Sequence, residues 1–139
     1  HASVEGWTAL MHASNSGHVE ACHLLLEKGA DPNHANEQGR TALIFASREG
    51  YVEFCRLLLE NGADPKHASV EGWTALMHAS NSGHVEACHL LLEKGADPNH
   101  ANEQGRTALI FASREGYVEF CRLLLENGAD PKHASVEGW

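Results

Sequence analysis

Apolar residues along this chain fall into two kinds of short run. The first, TALMHASNSG from Thr8 to Gly17, places Leu10 and Ala13 three residues apart on one side of a helix. The second, HVEACHLLLEKG from His18 to Gly29, sets Val19, Cys22, Leu25 and Leu26 on one face, with Leu24 widening it. Thr8 is a good N-cap for the first run, and Gly17 marks its end. Lys28 and Gly29 give the second run a C-terminal charge and a C′ glycine. The spacing predicts two antiparallel helices, near 9–16 and 19–28. The next stretch, GADPNHANEQGRT from Gly29 to Thr41, keeps neither helical nor strand periodicity and is rich in turn formers.

The pattern then recurs. Residues 67–132 repeat residues 1–66 without a difference, and HASVEGW stands at His1–Trp7, His67–Trp73 and His133–Trp139. Inside each 66-residue unit lie two half-units, A-type (1–33) and B-type (34–66), identical at 20 of 33 positions. A period of this length is the mark of a solenoid. A helix of about ten residues cannot hide a wide apolar stripe alone, so each pair must pack on the pair before and after it. The core is expected to be shared between neighbours.

Gly6, Thr8, Leu10, Gly17 with His18, Leu24 to Leu26, and Gly29 to Asp31 together resemble the ankyrin repeat pattern, in all four copies. The resemblance implies an all-α solenoid of stacked antiparallel helix pairs with projecting hairpin-like turns. It implies one domain over 1–139, with repeats at 1–33, 34–66, 67–99 and 100–132 and the start of a fifth at 133–139. There are departures. The family's proline is Ala9, and its histidine is Met11 or Ile44, so apolar packing must replace a threonine–histidine hydrogen bond common in the family. Tyr51 stands where His18 stands in the other half-unit.

The family binds proteins on a concave face made of turn tips and the open side of the first helix. The resemblance maps that face onto Val4, Glu5, Trp7, Asn15 and Ser16 in the first half-unit, and onto Glu37, Gln38, Arg40, Arg48 and Glu49 in the second. The copies are Val70, Glu71, Trp73, Asn81 and Ser82, then Glu103, Gln104, Arg106, Arg114 and Glu115. The half-units disagree at these positions, as residues outside a shared core can. Trp and Arg dominate interface energetics, which makes Trp7, Trp73, Arg40 and Arg106 the candidate anchors. Against this stands a solvated face with no partner.

Charge and chemistry narrow the picture further. A formal net charge of -9 disfavours nucleic acid and anionic membranes as partners, and no apolar run reaches the length of a membrane span. Cys22, Cys55, Cys88 and Cys121 recur every 33 residues. A disulfide needs Cα atoms within about 7 Å, whereas packed helices lie about 8–10 Å apart, so the expectation is four buried, reduced thiols. His18 and Cys22 have the i, i+4 spacing of a ligand pair, but zinc needs more ligands at about 2.0–2.3 Å from one point. His1, His34, His67 and His100 instead form a ladder with one rung per repeat. No metal and no cofactor is expected. Ser14 and Ser47 read as small packing residues and Glu20 and Glu27 as solvated ones, with no glycine-rich phosphate loop, so catalysis is not expected either.

A 66-residue unit copied without a change implies a very recent duplication or deliberate construction. The outermost repeats match the inner ones and carry no polar caps, which points to an engineered or idealised array. Its expected partner is a second copy of itself, joined end to end. The competing reading is a binding module that takes another protein on its concave face.

Overall fold

The computed structural model describes residues 7–134. They form α1 (Ala9–Ser16), α2 (Val19–Glu27), α3 (Ala42–Glu49), α4 (Val52–Glu60), α5 (Ala75–Ser82), α6 (Val85–Glu93), α7 (Ala108–Glu115) and α8 (Val118–Glu126). Consecutive helices pair, and each pair stacks on the next. First helices meet first helices from α1 through α3 and α5 to α7, and second helices meet second helices from α2 to α8. Among the described residues the only β pairing is an isolated antiparallel bridge between Ala68 and Thr74, inside a hairpin-like turn. The architecture is an all-α solenoid.

Local chemistry fixes each pair. Thr8, Thr41, Thr74 and Thr107 hold extended backbones, and their hydroxyl oxygens accept the amide N–H of Met11, Ile44, Met77 and Ile110 at 3.2, 3.4, 3.3 and 3.4 Å. This satisfies one of the amides that a helix start leaves orphaned. At the other end the chain turns through Gly17, Gly50, Gly83 and Gly116 with φ between 75 and 78°, a left-handed conformation that a side chain would strain. In the turns, Asn36 Oδ1 accepts the amides of Gln38 and Arg40 at 2.9 and 3.0 Å, and Asn102 does the same for Gln104 and Arg106. Successive turns also bond to each other: Val70 N–H donates to the Gln38 carbonyl at 3.0 Å, and Glu103 N–H to the Glu71 carbonyl at 3.1 Å.

Because the sequence repeats without change, burial measures the neighbour alone. Leu90 in α6 is 3% exposed, while its copy Leu24 in α2 is 54% exposed. Ala87 is buried and its copy Ala21 is open. At the far end Ile44 and Cys55 are buried, whereas Ile110 and Cys121 are half-buried, and Ser47 is buried where Ser113 is exposed. The expectation that Leu24 belongs to the core face is therefore corrected for the first copy. α4 covers Leu90 and no described helix covers Leu24. Val19 is corrected too. It is exposed, and so are Val85 and Val118, in the first turn of the second helix, while Val52 at the same position of α4 is half-buried. α2 ends at Glu27, one residue short of the expected boundary, with Lys28 as its C-cap.

One substitution made at two equivalent sites tests this. Leu90→Ala should cost about 2–4 kcal/mol of unfolding free energy, and Leu24→Ala less than about 1 kcal/mol, measured by urea denaturation. Equal costs would contradict an account in which neighbours supply the burial.

Candidate interaction surface

Trp7 and Trp73 are already engaged inside the chain. The Trp7 ring lies 4.9 Å from that of His12 and 4.5 Å from that of Phe45 in the next pair. Trp73 repeats this with His78 at 4.7 Å and Phe111 at 4.6 Å. Arg48 sits 5.2 Å above the Phe45 ring and Arg114 5.3 Å above Phe111, in cation–π range. Arg48 Nη2 also donates to Asn15 Oδ1 at 3.0 Å, and Arg114 Nη2 to Asn81 Oδ1 at 3.0 Å. Each A-type turn is thus fastened to the following B-type first helix by a Trp–Phe–Arg–Asn cluster.

Of the residues that sequence singles out, Val4 and Glu5 lie outside the described residues. Their copies Val70 and Glu71 stand exposed at a turn tip, as do Glu37, Gln38, Glu103 and Gln104. Arg40 and Arg106 are half-buried near the foot of their turns. Ser16, Ser82, Glu49 and Glu115 are exposed at the ends of the first helices, with Glu49 ion-paired to Arg48 at 3.3 Å. The structure therefore gathers Trp7, Trp73, Asn15, Asn81, Arg48 and Arg114 into inter-repeat contacts and leaves the turn-tip side chains in solvent. Phe45 and Phe111, central to those contacts, are absent from the sequence-based set. Their signal was the aromatic pair His12 and Phe45 at one aligned position.

His78 is the most perturbed titratable group of this surface. Its Nε2 is buried with no hydrogen-bond partner. Burial, and then the charges of Arg40 and Arg48, push its pKa down from 6.5 to about 4. The thiols move the other way. Burial pushes Cys22 and Cys55 up to about 11, with Cys55 nearby adding to the effect at Cys22, and pushes Cys88 up to about 12. All four cysteines are free, but Cys121 is half-buried, which corrects the expectation of four buried thiols. No described helix follows α8 to cover it.

The joints between pairs come in two kinds. From A-type to B-type, Asn33 Nδ2 donates to the Gly62 carbonyl at 2.9 Å and Asn33 Oδ1 accepts Asp64 N–H at 2.7 Å. Asn99 repeats this clamp with Gly128 and Asp130. From B-type to A-type the clamp position is Lys66, and the joint relies on His67 Nε2, 2.7 Å from the Gly39 carbonyl, and His84 Nε2, 3.1 Å from the Arg48 carbonyl. In both kinds, the residue ahead of the second helix lays its ring on the previous pair's left-handed glycine: Tyr51 on Gly17, His84 on Gly50 and Tyr117 on Gly83. At Gly116 that seat is open, with nothing within 4 Å. Beside it are two open depressions. One, of about 650 Å³, is lined by Leu109, Ile110, Ser113, Arg114, Pro131 and His133, and the other, of about 450 Å³, by Val118, Cys121, Arg122, Leu125 and Glu126. The corresponding surface inside the chain is the one that α5 and α6 fill.

Among the described residues, no three His, Cys, Asp or Glu side chains converge on a point where a metal could bind, and no helix is long and apolar enough to cross a membrane. The buried Ser80 hydroxyl donates to its own helix, at the Leu76 carbonyl, 2.8 Å away. Stacked helix pairs with a shared core and polar, outward-facing turns define a repeat protein that works through its surfaces. The family model described as ankyrin repeats (3 copies) matches residues 1–69 and 63–135, and the chain belongs to the ankyrin repeat family. Ankyrin repeats are generally non-enzymatic modules of protein–protein interaction. Comparison with curated proteins gives no match.

Two measurements follow from these side chains. A thiol reagent added to folded protein should label Cys121 first, and Cys22, Cys55 and Cys88 only on denaturation. Fast labelling of all four would contradict the burial described. For His78, the unfolded chain takes up a proton near pH 6.5 and the folded chain only near pH 4. Its contribution to stability is therefore complete above about pH 6.5 and is lost as pH falls toward 4. His78→Phe, which installs the residue found at Phe45 and Phe111, should remove roughly 2–3 kcal/mol of that acid-side loss. Parallel stability–pH curves for the two proteins would refute the assignment.

Proposed function

We propose that this chain is a non-enzymatic ankyrin scaffold, an engineered or idealised array, that associates with itself end to end. The observation that carries the proposal is the open ring seat at Gly116, together with an exposed His18 at the opposite end. Inside the chain the same two residue types meet as Gly50 and His84. The end faces are complementary because each is a copy of one side of the joint between α3–α4 and α5–α6. A second molecule's α1 and α2 would fill the depressions over α7 and α8 and cover Val118 and Leu125, and its Leu24 would gain the burial of Leu90. Apolar area buried at about 25 cal/mol per Å² favours this contact, and lost rigid-body freedom opposes it. The contact is heterologous and repeats, so it gives open filaments unless the superhelix closes into a ring. Identity of residues 67–132 with 1–66 supports an engineered origin.

A second reading, binding of another protein across the turn tips and first helices, is favoured by Val70, which stands 69% exposed at a turn tip. On that reading Arg40, Arg106 and the glutamates around them set the charge pattern a partner must match.

The test is mass against concentration, by sedimentation over about 1–100 µM. The chain should grow with concentration. Leu24→Glu should block one face and Leu125→Glu the other, leaving each variant monomeric alone. An equimolar mixture should stop at a dimer, since each contributes its one intact face. A monomer at every concentration, or two variants that fail to pair, would overturn the reading.

A further inference from the structure

The second helices α4, α6 and α8 lie side by side and differ at one polar position. α4 and α8 carry Arg56 and Arg122, which close on Glu53 and Glu119 three residues earlier at 3.3 and 2.8 Å. In α6 that place belongs to His89, whose Nδ1 stays 3.9 Å from Glu93. Glu86, the counterpart of Glu53 and Glu119, therefore has no guanidinium on its own helix. It is exposed, and among the described residues it has no ion-pair partner, and neither has the exposed Glu126 at the end of α8.

These side chains border an open groove of about 380 Å³ that lies over α6, with α4 and α8 as its walls. Its apolar surface comes from Leu90, buried at the bottom, from half-buried Leu123, and from Val85, which is 43% exposed. Its rim sets four glutamates, Glu86, Glu93, Glu119 and Glu126, against two arginines. Arg56 and Arg122 are both already held by glutamates of their own helices, so the rim offers acidic groups and no spare cation. Glu86 and Glu93 stand seven residues apart on one face of α6, about 10 Å along its axis, with Leu90 between them.

We infer that this groove on the second helices docks a cationic amphipathic helix of another protein, carrying Lys or Arg at i and i+7 with Leu at i+3 and i+4. A helix laid along α6 fits between α4 and α8 as one helix settles between the ridges of two others. Its basic residues repeat at the spacing of Glu86 and Glu93, and its leucines meet Val85, Leu90 and Leu123. The apolar contact supplies affinity, and the carboxylates fix the register and draw the partner in. A formal net charge of -9 adds long-range attraction for such a helix and repels a polyanion or a second copy of this chain. The groove is separate from the turn tips and first helices, and it is complete within one molecule, so the inference does not rest on end-to-end joining.

The experiment uses a synthetic alanine- and glutamine-based helix with Lys at i and i+7 and Leu at i+3 and i+4, passed over the full chain immobilised at low density, where copies cannot join. Binding should saturate with a dissociation constant below about 100 µM and weaken as salt is raised. A peptide of the same composition with its lysines and leucines scrambled should bind at least about tenfold more weakly. Glu86→Lys combined with Glu126→Lys should weaken binding roughly tenfold, since each reversal turns an attraction into a repulsion. Val85→Ser, which removes apolar wall without touching charge, should weaken it roughly threefold. All three positions are exposed, and circular dichroism checks that the helices are kept. Glu20→Lys, the same change of charge at the copy of Glu86 in α2, should leave binding within about twofold. No saturation by about 1 mM, equal binding of the scrambled peptide, or a loss at Glu20→Lys as large as that at Glu86→Lys would overturn the inference.

Discussion

No helix pair in this chain can bury its own apolar surface, and nearly everything else in the structure follows from that. The second helices are nine residues long, and the Leu-rich face of each needs a neighbouring helix to leave water. Identical residues therefore have different fates. Leu90 is sealed while its copy Leu24 in α2 stays open, and Ile44 and Ile110 show the same contrast at the other end. In most proteins burial confounds side-chain identity with position. Here identity is held constant, and the neighbour is the only variable.

The joints that supply those neighbours are not all equivalent. Asn33 and Asn99 clamp A-type pairs to B-type pairs, and Lys66 breaks the series at the joint between the two units. The Trp–Phe–Arg–Asn cluster also runs from A-type to B-type. What carries across from B-type to A-type is His67 on the Gly39 carbonyl, His84 on Gly50, and the first-helix packing of α3 on α5. The unit boundary lacks the asparagine clamp and the tryptophan cluster, while the helices there pack on each other at least as extensively as inside a unit. A junction between molecules would be of this second kind.

Legibility in the sequence divides along the same lines. The helices, their threonine caps and their glycine stops were readable because each depends on residues within one turn of itself, as Thr8 with Met11 or Lys28 with Leu24. The burial of Leu24, Val19 and Cys121 was not, since periodicity describes a helix face and not what stands opposite it. The Asn33 clamp spans 29 and 31 residues and has no local signature. Trp7 and Trp73 were legible as the large rings of the turns, but their seats on Phe45 and Phe111 depend on how pairs stack. The same holds for Arg48 and Arg114, whose charge is evident in sequence while their engagement with asparagine is not.

The turn-to-turn hydrogen bonds also give the molecule a direction of stiffness. Val70 to Gln38, Glu103 to Glu71 and the histidine rungs at Gly39, Gly72 and Gly105 tie one margin of the stack with short, directional links that tolerate little stretch. The second helices on the opposite margin meet through side-chain packing, which can slide before it breaks. Under load such a body flexes like a bound book, fixed along its spine and opening at its leaves. The asparagine clamps at alternate joints add hydrogen bonds on that second margin. A long array of these units would behave as a spring that is stiff along its turns and compliant along its second helices.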